Sequence, residues 1–308
     1  MSRMLLFPGQ GAQTVGMGRE LADGLEECRA LFSRAGDILG LDLLKLCVEG
    51  PLEDLTKSCN TQPAIFVVSV AARTALARFS GGALPVAGAA GLSSGEWAAL
   101  HEAGVVSFED AVRILRARGQ FMQDACEATP GGMLTIIGLT VDRVREVAEA
   151  SGLEIANLNS PVQTVLSGHA DRLAAGEAAA KAAGAKRALR LTVAGAFHSS
   201  LMQPAADKLA DFLQGIEFRE PTLPVWSNAT GKPHTAPDDI RRRMVEQVVS
   251  SVRWTDCFAG MVAAGLDVGF ECGPGSVLSG LAKRIAPEAS VHSIFDLAGA
   301  QEAAKLQV

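Results

Sequence analysis

Ser93 lies in Gly91-Leu92-Ser93-Ser94-Gly95, between an apolar run, Leu84 to Ala90, and a helix-like segment, Glu96 to Ala103. A serine with glycine two residues before and two after, on a strand-to-helix turn, is the pattern of a nucleophile elbow. The tight turn lifts Oγ clear of the sheet, and glycine leaves room on either side. The helix that follows adds its dipole and free N–H groups, which favour negative charge developing there. Only Ser93 has the glycines in register, since Ser94 would have Leu92 and Glu96 in their place. Ser94 is instead placed to lend its backbone N–H to an oxyanion.

A serine nucleophile needs a base, an oxyanion site and something to recognise its substrate. Of the five histidines, His198 in Gly195-Ala196-Phe197-His198-Ser199 is the best base candidate. His234 falls in a Pro-rich loop, His101 on a helix near a glycine, and His169 is read as starting a helix. His292, in a late strand, is the only rival. Gln10 follows the first apolar strand in Phe7-Pro8-Gly9-Gln10-Gly11-Ala12-Gln13. Its backbone N–H is either a second oxyanion donor or part of an ordinary Gly-rich turn, and the segment by itself favours the turn. Arg118 is more specific. Ser107 and Asp110 resemble a capping box, so a helix begins near Phe108. Its apolar stripe then runs through Ala111, Ile114, Leu115, position 118 and Met122. Arg118 therefore points inward beside Gly119, which permits close packing. An inward guanidinium needs an anion, either a protein carboxylate or a substrate carboxylate held in a fork. Gln247, before Val248-Val249-Ser250-Ser251-Val252-Arg253-Trp254, means nothing by itself.

The elements that must hold these residues fall into two regimes. From Gly132 to Val193 the pattern reads strand (Met133 to Gly138), helix (Val141 to Ala150), strand (Leu153 to Leu158), strand (Gln163 to Leu166), helix (Arg172 to Ala183) and strand (Arg187 to Val193). That order, βαββαβ, is the ferredoxin-like arrangement. On both sides short apolar strands (Met4 to Phe7, Val86 to Ala90, Pro224 to Trp226, Val268 to Glu271, Val291 to Ile294) alternate with longer helices, as in a parallel α/β sheet. The reading is a discontinuous large α/β domain, residues 1–128 plus 198–308, with a small α+β domain, 129–197, inserted. A cleft between them is the natural ligand site.

Composition narrows the function class. A 48% hydrophobic, 20% charged chain of 308 residues reads as a soluble globular protein. The longest apolar run, Ala64 to Phe79, is broken by Arg73 and Arg78, so no membrane span is expected. No signal-peptide core is read at the N-terminus. Six scattered cysteines without CxxC or metal-ligand spacing read as buried small apolar residues or free thiols, which implies a reducing cytoplasm and no metal site. A net charge of −6 argues against nucleic acid as a partner. Arg241-Arg242-Arg243 reads as a solvated helix face. Lys186, Arg187, Arg190, Lys283 and Arg284 are candidates for a basic rim, with ordinary surface charge as the default.

Together these segments resemble the malonyl-CoA:acyl carrier protein transacylase family from about Met4 to Ile294. The resemblance rests on the elbow with Glu96-Trp97, the Gln10 segment, Arg118-Gly119-Gln120-Phe121-Met122, Asn157-Leu158-Asn159-Ser160-Pro161, Ala196-Phe197-His198-Ser199, Gln247 seven residues before Trp254, and Glu271-Cys272-Gly273-Pro274-Gly275. It implies an α/β-hydrolase-like core with a ferredoxin-like insert. Ser93 would be the nucleophile, His198 its base, and Gln247 the residue whose backbone carbonyl orients the imidazole. The backbones of Gln10 and Ser94 would form the oxyanion hole. Arg118 would bind the malonyl carboxylate, with Met122, Phe197 and Asn159 also in the substrate site. Malonyl-CoA is then the substrate and a holo acyl carrier protein the partner, in fatty-acid synthesis. No bound cofactor or metal is expected, and the chain is read as a cytoplasmic monomer.

Three positions depart from the family pattern. Leu92 stands where histidine is common, Ser94 replaces a larger apolar residue and is read as altering the acyl pocket, and Ser251 replaces a common proline with only local effect. The competing readings are a discrete acyltransferase for a polyketide synthase or malonate decarboxylase, a serine hydrolase using Asp124, Asp142 or Asp171, and an inactive binding module.

Overall fold

A computed structural model describes residues 2–82 and 84–306; the extreme ends of the expected large domain lie outside them. Among the described residues the chain forms nine strands and fourteen helices. In order these are β1 (Arg3–Phe7), α1 (Arg19–Gly24), α2 (Glu26–Leu39), α3 (Leu43–Glu49), α4 (Leu52–Thr56), α5 (Ser58–Phe79), β2 (Gly88–Gly91), α6 (Glu96–Glu102) and α7 (Phe108–Ala128). The middle third holds β3 (Gly131–Ile137), α8 (Val141–Ser151), β4 (Glu154–Ser160), β5 (Gln163–His169), α9 (Leu173–Ala182) and β6 (Arg187–Arg190). The remainder is α10 (Gln203–Leu213), β7 (Val225–Trp226), α11 (Pro237–Val249), α12 (Trp254–Ala263), β8 (Val268–Cys272), α13 (Val277–Ile285), β9 (Ser290–Ile294) and α14 (Leu297–Lys305).

Five strands make one parallel sheet in the order β7-β2-β1-β8-β9. Its central strands are buried along nearly their whole length because helices cover both faces. Alternation along β1 divides the core: Leu5 and Phe7 pack into the cluster with Phe32, Val68 and Leu115, whereas Met4 and Leu6 pack with Trp226, Phe258 and Leu278. The second sheet is antiparallel, in the order β4-β5-β3-β6, as a βαββαβ chain requires for a ferredoxin-like unit. Leu134 and Ile136 turn toward α8 and α9, and Met133 turns the other way, into the cleft. The fold is thus an α/β-hydrolase-like parallel core with a ferredoxin-like α+β subdomain.

One short segment ties the two sheets together. Val252 pairs with the edge of β4, exchanging Val252 N to Ala156 O (2.8 Å) and Leu158 N to Val252 O (2.9 Å). Ser251 Oγ donates to Ile155 O, and Arg253 N donates to Asn228 O at 2.9 Å on the other side. Ser251 therefore supplies a hydroxyl to the contact between the two sheets.

Several expectations need correction. The strand read as Arg187 to Val193 ends at Arg190. Leu191 N still reaches Met133 O (3.0 Å), and then the chain leaves the sheet edge to cross back as an exposed lip of the cleft. His169 both closes β5 opposite Gly131 and caps the short 3-10 turn 170–172 that leads into α9. The first core strand after α5 begins at Gly88, later than Val86. Within the triplet Arg241 to Arg243, Arg241 is not simply solvated: it lies over the Phe218 ring at 4.8 Å and donates to Ile216 O. Among the described residues all six cysteines are buried and free of disulfides.

Candidate active site

The paired ends of β1 and β2, Phe7 opposite Gly91, open into a cleft of about 690 Å³ between the two sheets. This is where α/β sheets place ligands, beyond the carboxyl ends of the strands. Ser93 sits there with φ 52°, and His198 faces it with φ 57°. They are the only non-glycine residues with positive φ among the described residues. Backbone held in the left-handed region costs on the order of 1–3 kcal/mol per residue and persists where its surroundings impose it. At Ser93 those surroundings are visible. A Cβ on Gly91 would lie 2.0 Å from Gly95 O, and one on Gly95 would lie 2.2 Å from Phe7 O. Only glycine lets the turn pack onto the end of β1.

The histidine tautomer follows from its neighbours. His198 Nδ1 is 2.8 Å from the Gln247 carbonyl, which only accepts, so Nδ1 carries the proton. Nε2 then keeps its lone pair toward Ser93 Oγ, 2.8 Å away, and the hydroxyl donates to it. This is the geometry of a serine and its general base, oriented by a backbone carbonyl where a carboxylate is common. Asp124 pairs instead with Lys208, Asp142 with Arg145, and Asp171 is exposed, so none serves His198. That removes the acid the hydrolase reading needed.

Arg118 reaches the same point from α7. Ser107 caps that helix, accepting from Asp110 N at 3.0 Å, as the capping pattern predicts. Gly119 lets α7 press onto the start of α5, since a Cβ there would lie 2.3 Å from Ser58 O. The guanidinium is fully buried, with Nη1 donating to Gln62 Oε1 (2.8 Å) and Nη2 to Gln247 Oε1 (3.1 Å) and Ser93 Oγ (3.3 Å). Nε has no hydrogen-bond partner. Every direct partner is neutral. Among the described residues no carboxylate bonds Arg118 directly, which leaves a buried cation beside the serine able to meet an incoming anion.

Burial, the positive charge of Arg118 and the opposing hydrogen bond to Gln247 together push the His198 pKa from 6.5 down to about 4. The imidazole is therefore neutral, and able to accept a proton, throughout the neutral range. Loading of the free enzyme is expected to lose rate only as pH falls toward 4. An anion bound at Arg118 would offset the nearby positive charge, so the acid limb of kcat should then lie at higher pH than that of kcat/KM. Stability follows the same group. Between pH 6.5 and 4 the unfolded chain binds the proton that the folded site refuses, so stability falls with falling pH, by on the order of 3 kcal/mol across the window. Thermal unfolding of the parent and of His198→Gln across that range checks the sign; equal slopes would contradict it.

The remaining candidates are distributed unevenly. Gln10, Met122, Phe197 and Asn159 all line the cleft, and Asn159 Oδ1 is buried without a partner. The Gln10 side chain is anchored by Ser58 Oγ (3.0 Å) and Gln62 (3.4 Å). Ser94 is buried with its hydroxyl unpartnered and is not among the described residues lining the cleft. Leu92 does line it. The side chain of His292, the rival base, bonds to Ser290 on its own strand β9, and His292 does not line the cleft among the described residues. In the basic set, Arg284 bonds to Gln163 at the lip of the cleft and Arg190 pairs with Glu177.

The profile of the acyl transferase domain matches residues 4–302. The malonyl CoA-acyl carrier protein transacylase of Escherichia coli K12 is 45% identical over 284 residues, 91% of each chain. An acyl carrier protein S-malonyltransferase from Vibrio cholerae superposes with a TM-score of 0.93 at 39% identity, covering 97% of this chain and 98% of that one. The chain belongs to the malonyl CoA-acyl carrier protein transacylase family. It also superposes, with a TM-score of 0.94 at 39% identity over the whole of both chains, on a malonyl-transacylase solved in complex with a type II polyketide synthase acyl-carrier protein.

Four residues around this site get no role in the sequence reading: Gln62 and Asn228 go unnamed there, Glu96 appears only within the elbow motif, and His234 is set aside as a loop histidine. Asn228 acts directly on the elbow. Its Oδ1 accepts from Ser93 N at 2.6 Å and its Nδ2 donates to Gly91 O at 2.8 Å. Asn228→Ala leaves both groups buried and unpaired, and releases the strained Ser93 backbone. The expected result is a fall in kcat on the order of 10²-fold with little change in KM, together with a lower Tm. A lower Tm with kcat intact would mean that Asn228 only stabilises the fold.

Proposed function

We propose that the protein transfers the malonyl group of malonyl-CoA to the phosphopantetheine thiol of a holo acyl carrier protein, by way of a malonyl ester on Ser93. The observation that carries this reading is the buried Arg118 guanidinium, held by neutral amides at 3.3 Å from the serine hydroxyl. A carboxylated acyl group satisfies that cation, and acetyl leaves it unmet.

In this reading His198 Nε2 takes the Ser93 proton as Oγ attacks the thioester carbonyl. The oxyanion is received by the backbone N–H groups of Gln10 and Ser94, each worth on the order of 10²–10³ in rate. The C–S bond breaks, and His198 returns the proton to the departing coenzyme A thiol. The carrier-protein thiol then gives its proton to His198 and attacks the ester, and Ser93 leaves with that proton. Gln247 holds the imidazole in register, and Met122, Phe197 and Asn159 border the acyl group and its thiol carrier. No metal or bound cofactor enters these steps. The working parts are residues 1–128 with 198–308 on one side of the cleft and 129–197 on the other. A cytoplasmic monomer that binds neither membrane nor nucleic acid completes the proposal; among the described residues no helix is long and apolar enough to cross a membrane.

Fatty-acid synthesis is the first setting for this activity. The match to a transacylase bound to a polyketide synthase carrier protein supports a second, in which the same chemistry serves a polyketide carrier. Initial rates with malonyl-CoA and holo carrier protein varied together test the mechanism. Parallel double-reciprocal lines and accumulation of malonyl-carrier protein are expected. Intersecting lines, or release of free malonate at the same rate without carrier, would contradict it.

A further inference from the structure

Behind the reacting serine lies a second buried polar cluster that the transfer steps leave unused. Glu96, the first residue of α6, is fully buried. Its Oε1 accepts from His234 Nε2 at 2.7 Å, and its Oε2 accepts from Asn228 N at 3.0 Å and Gln247 Nε2 at 2.6 Å. Neither Glu96 nor His234 lines the cleft among the described residues. A buried carboxylate away from the substrate path is costly unless it offsets something.

The Gln247 side chain links this cluster to Arg118. Its Nε2 faces three acceptors, Glu96 Oε2 (2.6 Å), Ser93 O (3.0 Å) and Asn228 Oδ1 (3.4 Å), while its Oε1 receives Arg118 Nη2 (3.1 Å). A flipped amide would set its NH₂ against the guanidinium and its oxygen against the carboxylate. Opposite charges at its two ends therefore choose the orientation of the amide. Glu96 is also the group whose charge favours the protonated guanidinium against its burial.

We propose that Glu96, steadied by His234, is the counter-charge of Arg118, relayed through the Gln247 amide, and that it sets how tightly the site holds an anionic acyl group. The proposal rests on reading Arg118 as the anchor of the acyl carboxylate. Glu96 touches neither substrate nor reacting atoms and is a positioning residue. With Glu96 present, the guanidinium is partly offset before substrate arrives, so the acyl carboxylate is selected without being trapped. Without it, the incoming carboxylate becomes the only offset and is held more firmly.

Binding separates this role from a structural one. In a Ser93→Ala background, where no ester forms, calorimetry gives the Kd of malonyl-CoA and of acetyl-CoA. Adding Glu96→Gln is expected to tighten malonyl-CoA by on the order of ten-fold and leave acetyl-CoA unchanged. Malonyl-CoA binding that is unchanged or weaker, in a protein that still prefers it to acetyl-CoA, overturns the counter-charge and leaves the reading of Arg118 standing. A Ser93→Ala parent with no preference overturns both. Should Glu96→Gln fail to fold, Glu96→Gln with Arg118→Gln is expected to fold and to unfold at a higher temperature, because the unmatched cation has gone. A double variant no more stable than the single one overturns the proposal.

Discussion

Replacing His198 with alanine is expected to slow malonyl loading by on the order of 10⁴-fold or more. Among the described residues the imidazole is the base positioned to take the Ser93 proton, at 2.8 Å, and burial keeps it neutral for that task. Arg118 and the backbone N–H groups of Gln10 and Ser94 remain in the variant, so substrate binding should survive and the loss should fall on kcat. Single-turnover loading from malonyl-CoA measures it. Partial recovery with added imidazole would locate the loss in proton transfer. A fall of less than about ten-fold would place the base elsewhere.

Arg118→Gln is expected to produce the second large effect, confined to one substrate. Loss of a buried, hydrogen-bonded charge partner costs on the order of 2–5 kcal/mol, so kcat/KM for malonyl-CoA should fall by roughly 10²–10³-fold. Acetyl-CoA makes no ion pair with Arg118 and should be loaded as well as before or better, reversing the preference. The partners of Arg118 are the Gln62 and Gln247 side chains, which a glutamine can also bond, so the fold is expected to persist. Equal losses for both substrates would mean that Arg118 supports the site without reading the acyl group.

What the sequence makes legible is what local pattern controls. The glycines at 91 and 95 announce the elbow because the steric demand acts within five residues. Ser107 and Asp110 mark the start of α7 because a cap is local, and the stripe from Ala111 to Met122 then points Arg118 inward. The βαββαβ unit is readable because period-two and period-3.6 segments alternate cleanly. Gln62 and His234 are different. Their partners are 56 and 138 residues away, and a buried glutamine or histidine looks in sequence like a solvated one. His234 in particular sits in a loop rich in proline, where burial has no local sign. The one available hint to Gln62 is its place with Ser58 and Thr61 at the head of a helix, just before the apolar stretch Ala64 to Val68. The lip after Arg190 is illegible for a related reason. Leu191 and Val193 are strand formers by type, and the chain leaves the sheet there only because it must return to His198 across the cleft.

The account stands or falls on a malonyl ester at Ser93. Intact-protein mass after brief exposure to malonyl-CoA, followed by peptide mapping, tests it most directly. A single malonyl adduct on the Ser93 peptide is expected, weak or missing with acetyl-CoA, absent from Ser93→Ala, retained in Ser94→Ala, and discharged by a holo carrier protein. No adduct with malonyl-CoA, or one that persists in Ser93→Ala, would contradict the assignment of nucleophile and mechanism together.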